Sequence, residues 1–90
     1  MVLKRRIALA IYIGGILRRR RKAKGLSQEK LAFESGLDRS YIGDLERNEK
    51  SPSLDTVFKI SKVLEIKPDE FVKEVRETLE DYNTSEDNSD

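Results

Sequence analysis

An all-α fold of five short helices is what this 90-residue sequence predicts. Three observations carry it. Apolar residues recur three and four apart, as in Leu54, Val57, Phe58, Ile60 and Leu64, and no stretch of any length alternates with the period of two that a strand requires. Helix punctuation separates those stretches: Gly25 and Gly36 as stops, Ser27, Asp38 and Ser53 as N-caps, and Pro68 at a first helical position. Finally, the run from Gln28 to Arg47, QEKLAFESGLDRSYIGDLER, reads as two helices joined by a tight turn containing a glycine.

The first helix is predicted from about Ala10 to Lys24, with cations in its last turn, where the helix dipole favours them. Gly14 and Gly15 lower its propensity, at about 1 kcal/mol each relative to alanine. Helix two covers Gln28 to Ser35 behind the Ser27 cap, with Leu31, Ala32 and Phe33 as its apolar side. Lys30 stands where a reciprocal capping box needs Glu or Gln. Helix three, Arg39 to Arg47, follows the Asp38 cap and turns Tyr41, Ile42 and Leu45 inward, leaving Arg39, Ser40, Gly43, Asp44 and Arg47 outward. After a polar loop, Ser53 caps helix four, Leu54 to Leu64. Pro68 opens helix five, with Asp69 and Glu70 at its positive end and Phe71, Val72, Val75 and Leu79 as its stripe. The last ten residues, DYNTSEDNSD (81–90), carry little apolar content and are predicted to be a disordered acidic tail. The predicted organisation is an extension over 1–9, one domain over 10–80 and that tail.

Composition narrows the chemistry. The chain has no Cys and no His, so disulfides, thiolate or imidazole metal sites and catalytic triads are excluded. No enzyme, metal or cofactor is expected, and a reducing, cytoplasmic setting suits the chain. Net charge is only +1, but it is unevenly spread. Residues 1–30 hold ten Lys/Arg against one acid, whereas residues 61–90 hold four against ten. A basic first third is an electrostatic footprint for a polyanion, and an acidic last third should face away from it. The apolar run IALAIYIGGIL at 7–17 is too short to span a bilayer, which takes about twenty residues. It also leads straight into RRRRKAKG with no small-residue cleavage site. No membrane partner is expected.

The spacing within Gln28 to Arg47 meets four demands of a steep helix crossing. Ala32 makes room, Gly36 supplies a left-handed turn, Leu37 plugs that turn, and Ile42 and Leu45 pin helix three to the core. Two readings share these features. In one, the second helix enters the DNA major groove. In the other, the pair is an ordinary helical hairpin in a bundle.

The stretches IGGILRRRRKAKGLSQEKLA, SGLDRSYIGDLERNEKSPSLDTVFKISKVLEI and KPDEFV add a further argument. Over Ile13 to Val72 the chain resembles the lambda-repressor-like helix-turn-helix DNA-binding domains, the Cro/repressor or XRE family. Short stand-alone members resemble phage repressors and restriction-modification controller proteins. The resemblance implies a compact five-helix DNA-binding domain and a sequence-specific transcriptional regulator, with double-stranded DNA as partner. Arg39, Ser40 and Asp44 match positions that face base edges. Arg39 suits a bidentate grip on guanine, while Asp44 either accepts from a cytosine amine or holds Ser40 or Arg47 in place. Gln28 matches a phosphate-binding residue that also braces the reading helix. Arg47, Lys50 and Ser53 match phosphate positions flanking the groove. Arg21 and Glu46 match a partly buried structural ion pair between helices one and three. Arg20 departs from the pattern, since many relatives carry an apolar residue there.

Relatives bind palindromic sites as two-fold dimers. Leu64, Ile66, Phe71, Val72 and Val75 exceed what one small core needs and are the expected interface of a homodimer, with Val2 to Ile11 as a further surface. The apolar N-terminus and acidic tail also motivate a second reading, an antitoxin-like or bridging module with a protein partner.

Overall fold

The computed structural model describes the backbone of residues 2–88 and the side chains of residues 13–78. Expectations for the side chains of Val2 to Ile11 and of Leu79 lie outside the described residues. Five helices follow one another: α1 (Val2–Ala23), α2 (Gln28–Ser35), α3 (Arg39–Glu46), α4 (Leu54–Leu64) and α5 (Pro68–Asn88). The described residues contain no strand. α3 packs between α1 and α2, α4 lies against α2 and α5, and α5 returns along α1.

The caps form as the sequence implies. The Ser27 hydroxyl accepts from the Lys30 N–H at 3.0 Å, and the Ser53 hydroxyl accepts from the Thr56 N–H at 3.1 Å. Gly36 takes φ 73°, and the N–H of Leu37 returns to the Ala32 carbonyl at 2.9 Å, closing α2 so that the chain can turn into α3. Asp38 occupies the N-cap of α3, but its carboxylate makes no capping hydrogen bond.

Two helices differ from expectation at their outer ends. α1 begins at Val2 rather than near Ala10, and α5 continues to Asn88 in place of a disordered tail from residue 81. The residues involved, VLKRRIALA and DYNTSEDN, contain neither proline nor glycine, so nothing local stops a helix already nucleated by packing.

The main core joins Leu17, Leu31, Ala32, Ile42, Leu45, Ile60 and Leu64. A second cluster, Ile16, Val57 and Phe71, fastens α1 and α4 to α5. Ion pairs add to the packing of α1 on α5: Arg19 and Arg20 both bond Glu74. Arg20 thereby occupies an otherwise apolar position of the pattern without burying an unpaired charge. Three apolar expectations are corrected. Phe33 is 80% exposed, Leu54 68% and Phe58 55%. A helix eleven residues long carries two apolar stripes here. Val57, Ile60 and Leu64 turn inward, and Leu54 and Phe58, one turn apart, lie along the flank. Buried Thr56 and Ser61 take part of the inner face instead.

Gly14 explains why the double glycine belongs in α1. A Cβ there would lie 2.8 Å from the carbonyl oxygens of both Leu45 and Glu46, and closer still to the Asn48 side-chain oxygen. The end of α3 therefore rests directly on the α1 backbone. Asn48 itself adopts φ 66°, turning the chain out of α3.

Candidate nucleic-acid interface

The α2–α3 unit is braced from beneath by one carboxylate. Arg21 donates to Glu46 through Nε at 2.6 Å and Nη2 at 3.0 Å, and its Nη1 donates to the Leu26 carbonyl at 2.8 Å. Both side chains are almost fully buried. Gln28 Nε2 donates to the same Glu46 carboxylate at 3.0 Å. Burial pushes the Glu46 carboxyl up, but the bonds from Arg21 and Gln28 and the charges of Arg21 and Arg18 outweigh it, so its pKa lies below the ordinary value. The Glu46 bond is the main reason that Arg21 is held above its own ordinary value. The expected ion pair is in place, and so is the bracing half of the expectation for Gln28.

The outer side of α3 is less uniform than the sequence suggests. Arg39 and Ser40 are exposed at its start, and Arg39 has no ion-pair partner among the described residues. Asp44 is only partly exposed. Its Oδ1 accepts from Arg47 Nη2 at 2.7 Å, and its Oδ2 lies 3.5 Å from Lys50 Nζ. Glu49 accepts from Arg47 Nε at 3.3 Å and Nη2 at 3.4 Å. The Glu49 bond and charge, with the charge of Asp44, hold the Arg47 guanidinium above its ordinary pKa. Gly43 is not an outward residue but a buried one, because the Arg47 guanidinium folds back over it. Of the alternatives for Asp44, the one observed is the bond to Arg47. Ser40 makes no bond with it.

α4 is joined to this surface through hydroxyls. The Tyr41 hydroxyl lies 3.4 Å from Thr56 Oγ1, which accepts from Ser53 at 3.0 Å. Lys50 sits 5.9 Å from the centre of the Tyr41 ring. Tyr41 is thus half-buried and polar-anchored rather than a plain core residue. Glu49 and Thr56 carry no signal in the sequence, since they act across a turn and not along a helix face. The described residues hold no cluster of metal-binding side chains, and no described helix is long and apolar enough to cross a membrane.

A helix-turn-helix family profile (HTH_3) matches residues 17–71, more than half of the chain and the whole of this braced unit. The chain belongs to the helix-turn-helix family. That family is one of DNA-binding regulators. Helix-turn-helix relatives include the control protein C.BamHI of Bacillus amyloliquefaciens, 46% identical over 67% of this chain and 75% of its own length. The crystal structure of the restriction-modification controller protein C.AhdI from Aeromonas hydrophila is 50% identical over 69% of this chain and 94% of that one, with a TM-score of 0.67. The controller protein C.Esp1396I, solved as a tetramer with its natural 35-base-pair operator, is 31% identical over 79% of this chain and 93% of that one, with a TM-score of 0.71.

Proposed function

We propose that this chain is a sequence-specific transcriptional regulator of the cytoplasm, binding a palindromic duplex as a two-fold dimer and catalysing nothing. The observation that carries the reading is the isolation of Arg39: it is exposed, without an ion-pair partner among the described residues, at the start of a helix whose inner side is locked by Ile42 and Leu45. On this reading Arg39 contacts a guanine, Ser40 bonds a base or phosphate, and Gln28, Arg47, Lys50 and Ser53 are the phosphate contacts. The similarity to a controller protein solved on its operator supports the same reading. Arg39→Ala is expected to weaken binding to the preferred duplex by about 5- to 150-fold, the equivalent of about 1–3 kcal/mol. Binding to a shuffled duplex should change little. A titration in which preference survives Arg39→Ala would refute Arg39 as the reader.

The dimer face we propose is shifted from the one the sequence suggests. Leu64 and Phe71 are buried in the chain's own core, and Ile66 and Val75 are half-buried against it. Val72 remains exposed, and an apolar groove is lined by Phe58, Ile66 and Pro68 with the stems of Lys59 and Lys62. Leu54 and Phe58 on α4 and Pro68 and Val72 on α5 are each one turn apart, so the groove and its flanks form a continuous apolar strip. A second copy seated on that strip satisfies two-fold self-complementarity. Phe58→Ser, at an exposed position, should shift sedimentation from dimer towards monomer while leaving the thermal transition nearly unchanged at concentrations where both chains are monomeric. A variant that remains as dimeric as the unaltered chain places the interface elsewhere.

A further inference from the structure

We propose that Asp44 and Glu49 form a counter-charge clamp that withholds Arg47 and Lys50 from DNA until the reading helix is seated, making Asp44 a specificity-determining residue that acts through those two cations. The inference rests on the DNA-binding reading above. Arg47 is gripped from both sides, by Asp44 at 2.7 Å and by Glu49 at 3.3 Å, and its guanidinium occupies the space over Gly43. Lys50 is drawn to the other oxygen of Asp44 at 3.5 Å while resting over Tyr41. The four side chains carry no net charge together. Arg39, a turn or more away, is left outside the cluster.

Bonds to phosphate supply affinity without sequence information. A free Arg47 and Lys50 at the rim of α3 would strengthen binding to every duplex alike. With both cations clamped, a phosphate must displace a carboxylate to reach them, and the displaced carboxylate then faces the polyanion. That exchange becomes favourable only where Arg39 and Ser40 already hold the helix close to its base pairs. Sequence-independent binding is therefore penalised more than specific binding, and the ratio of the two, on which regulation depends, is raised. Gly43 is integral to the device, because a Cβ at that position would approach Arg47 Nη1 to 2.9 Å and push the guanidinium out of its folded position.

The test compares the unaltered chain with Asp44→Asn and with Asp44→Asn/Glu49→Gln, on two duplexes over a salt series. One duplex is that enriched from a randomised library by the unaltered chain, and the other is its shuffled counterpart. The double variant is expected to bind the shuffled duplex severalfold more tightly and with a steeper salt dependence, by about 0.9 in the log–log slope for each further phosphate that the freed cations neutralise. Its ratio of specific to shuffled affinity should fall. A residue that merely supported the fold would not steepen that slope. The clamp is overturned if shuffled binding and slope are unchanged, or if both duplexes bind more tightly by the same factor. It is also overturned if Asp44→Asn loses only the selected duplex, which would make Asp44 a direct base reader. An unaltered chain that enriches no duplex refutes the DNA-binding reading and the clamp with it, whereas an enriching chain with an unchanged slope refutes the clamp alone.

Discussion

Replacing Glu46 with alanine is expected to cost the fold about 3–5 kcal/mol. The substitution leaves the Arg21 guanidinium buried with only the Leu26 carbonyl to accept from it, and it strips Gln28 of its side-chain partner. The Arg21 guanidinium cannot reach water without parting α1 from α3, so the loss far exceeds that of an exposed pair. A thermal melt should fall by at least about 12 °C, at about 4 °C per kcal/mol for a chain of this size. A melt lowered by only a few degrees would mean that Arg21 finds another partner. Acid titration tests the same pair independently. Because the Glu46 carboxyl is held below its ordinary value, the unfolded chain binds this proton more readily than the folded one. The contribution is complete above the unfolded value of about 4.3 and drains away as pH falls through the lower, folded one. Glu46→Gln, which has no charge to lose there, should flatten that part of the pH–stability curve. An acid limb of unchanged steepness would assign it to other carboxylates.

The second large effect comes from two adjacent glycines that should respond with opposite signs. By helix propensity alone, either change to alanine gains about 1 kcal/mol. Gly15 has nothing within 4 Å of its Cβ position, so Gly15→Ala should realise that gain. At Gly14 the new carbon would meet the backbone carbonyls of Leu45 and Glu46 at 2.8 Å, and a backbone cannot swing aside as a side chain can. Gly14→Ala should instead lose about 1–2 kcal/mol as α3 is forced off α1. Denaturant titration of the two variants side by side decides the matter. Equal stabilisation by both would refute the direct seating of α3 on α1.

Much of this architecture is legible in the sequence because it depends on local chemistry. Ser27 and Ser53 announce helix starts through hydroxyls that have no better local use, and Gly36 marks a turn that a side chain would strain. Ile42 and Leu45 are three apart and can only turn inward together. What resists reading depends on geometry between elements. Periodicity shows that α4 carries apolar residues on a broad arc, but whether Leu54 and Phe58 lie inside that arc or beyond its edge is set by how α4 tilts on α2 and α5. Gly14 looks like a weakness until its neighbour across the core is known. The same holds for the site. The type and position of Arg39 already suit base reading, whereas the restraint on Arg47 needs Glu49 to be brought back across a turn by Asn48 at positive φ.

The Arg21 guanidinium has a consequence for modularity. It ties the last full turn of α1 to the α1–α2 connection through Leu26 and to the end of α3 through Glu46, spanning 25 positions of sequence in one side chain. The α2–α3 pair is therefore not a detachable cassette. Cut free or grafted onto another scaffold without Arg21, it would carry an ionised carboxylate on its underside with nothing to neutralise it. The DNA-reading part of this protein is transplantable only together with the stretch of α1 that carries Arg21.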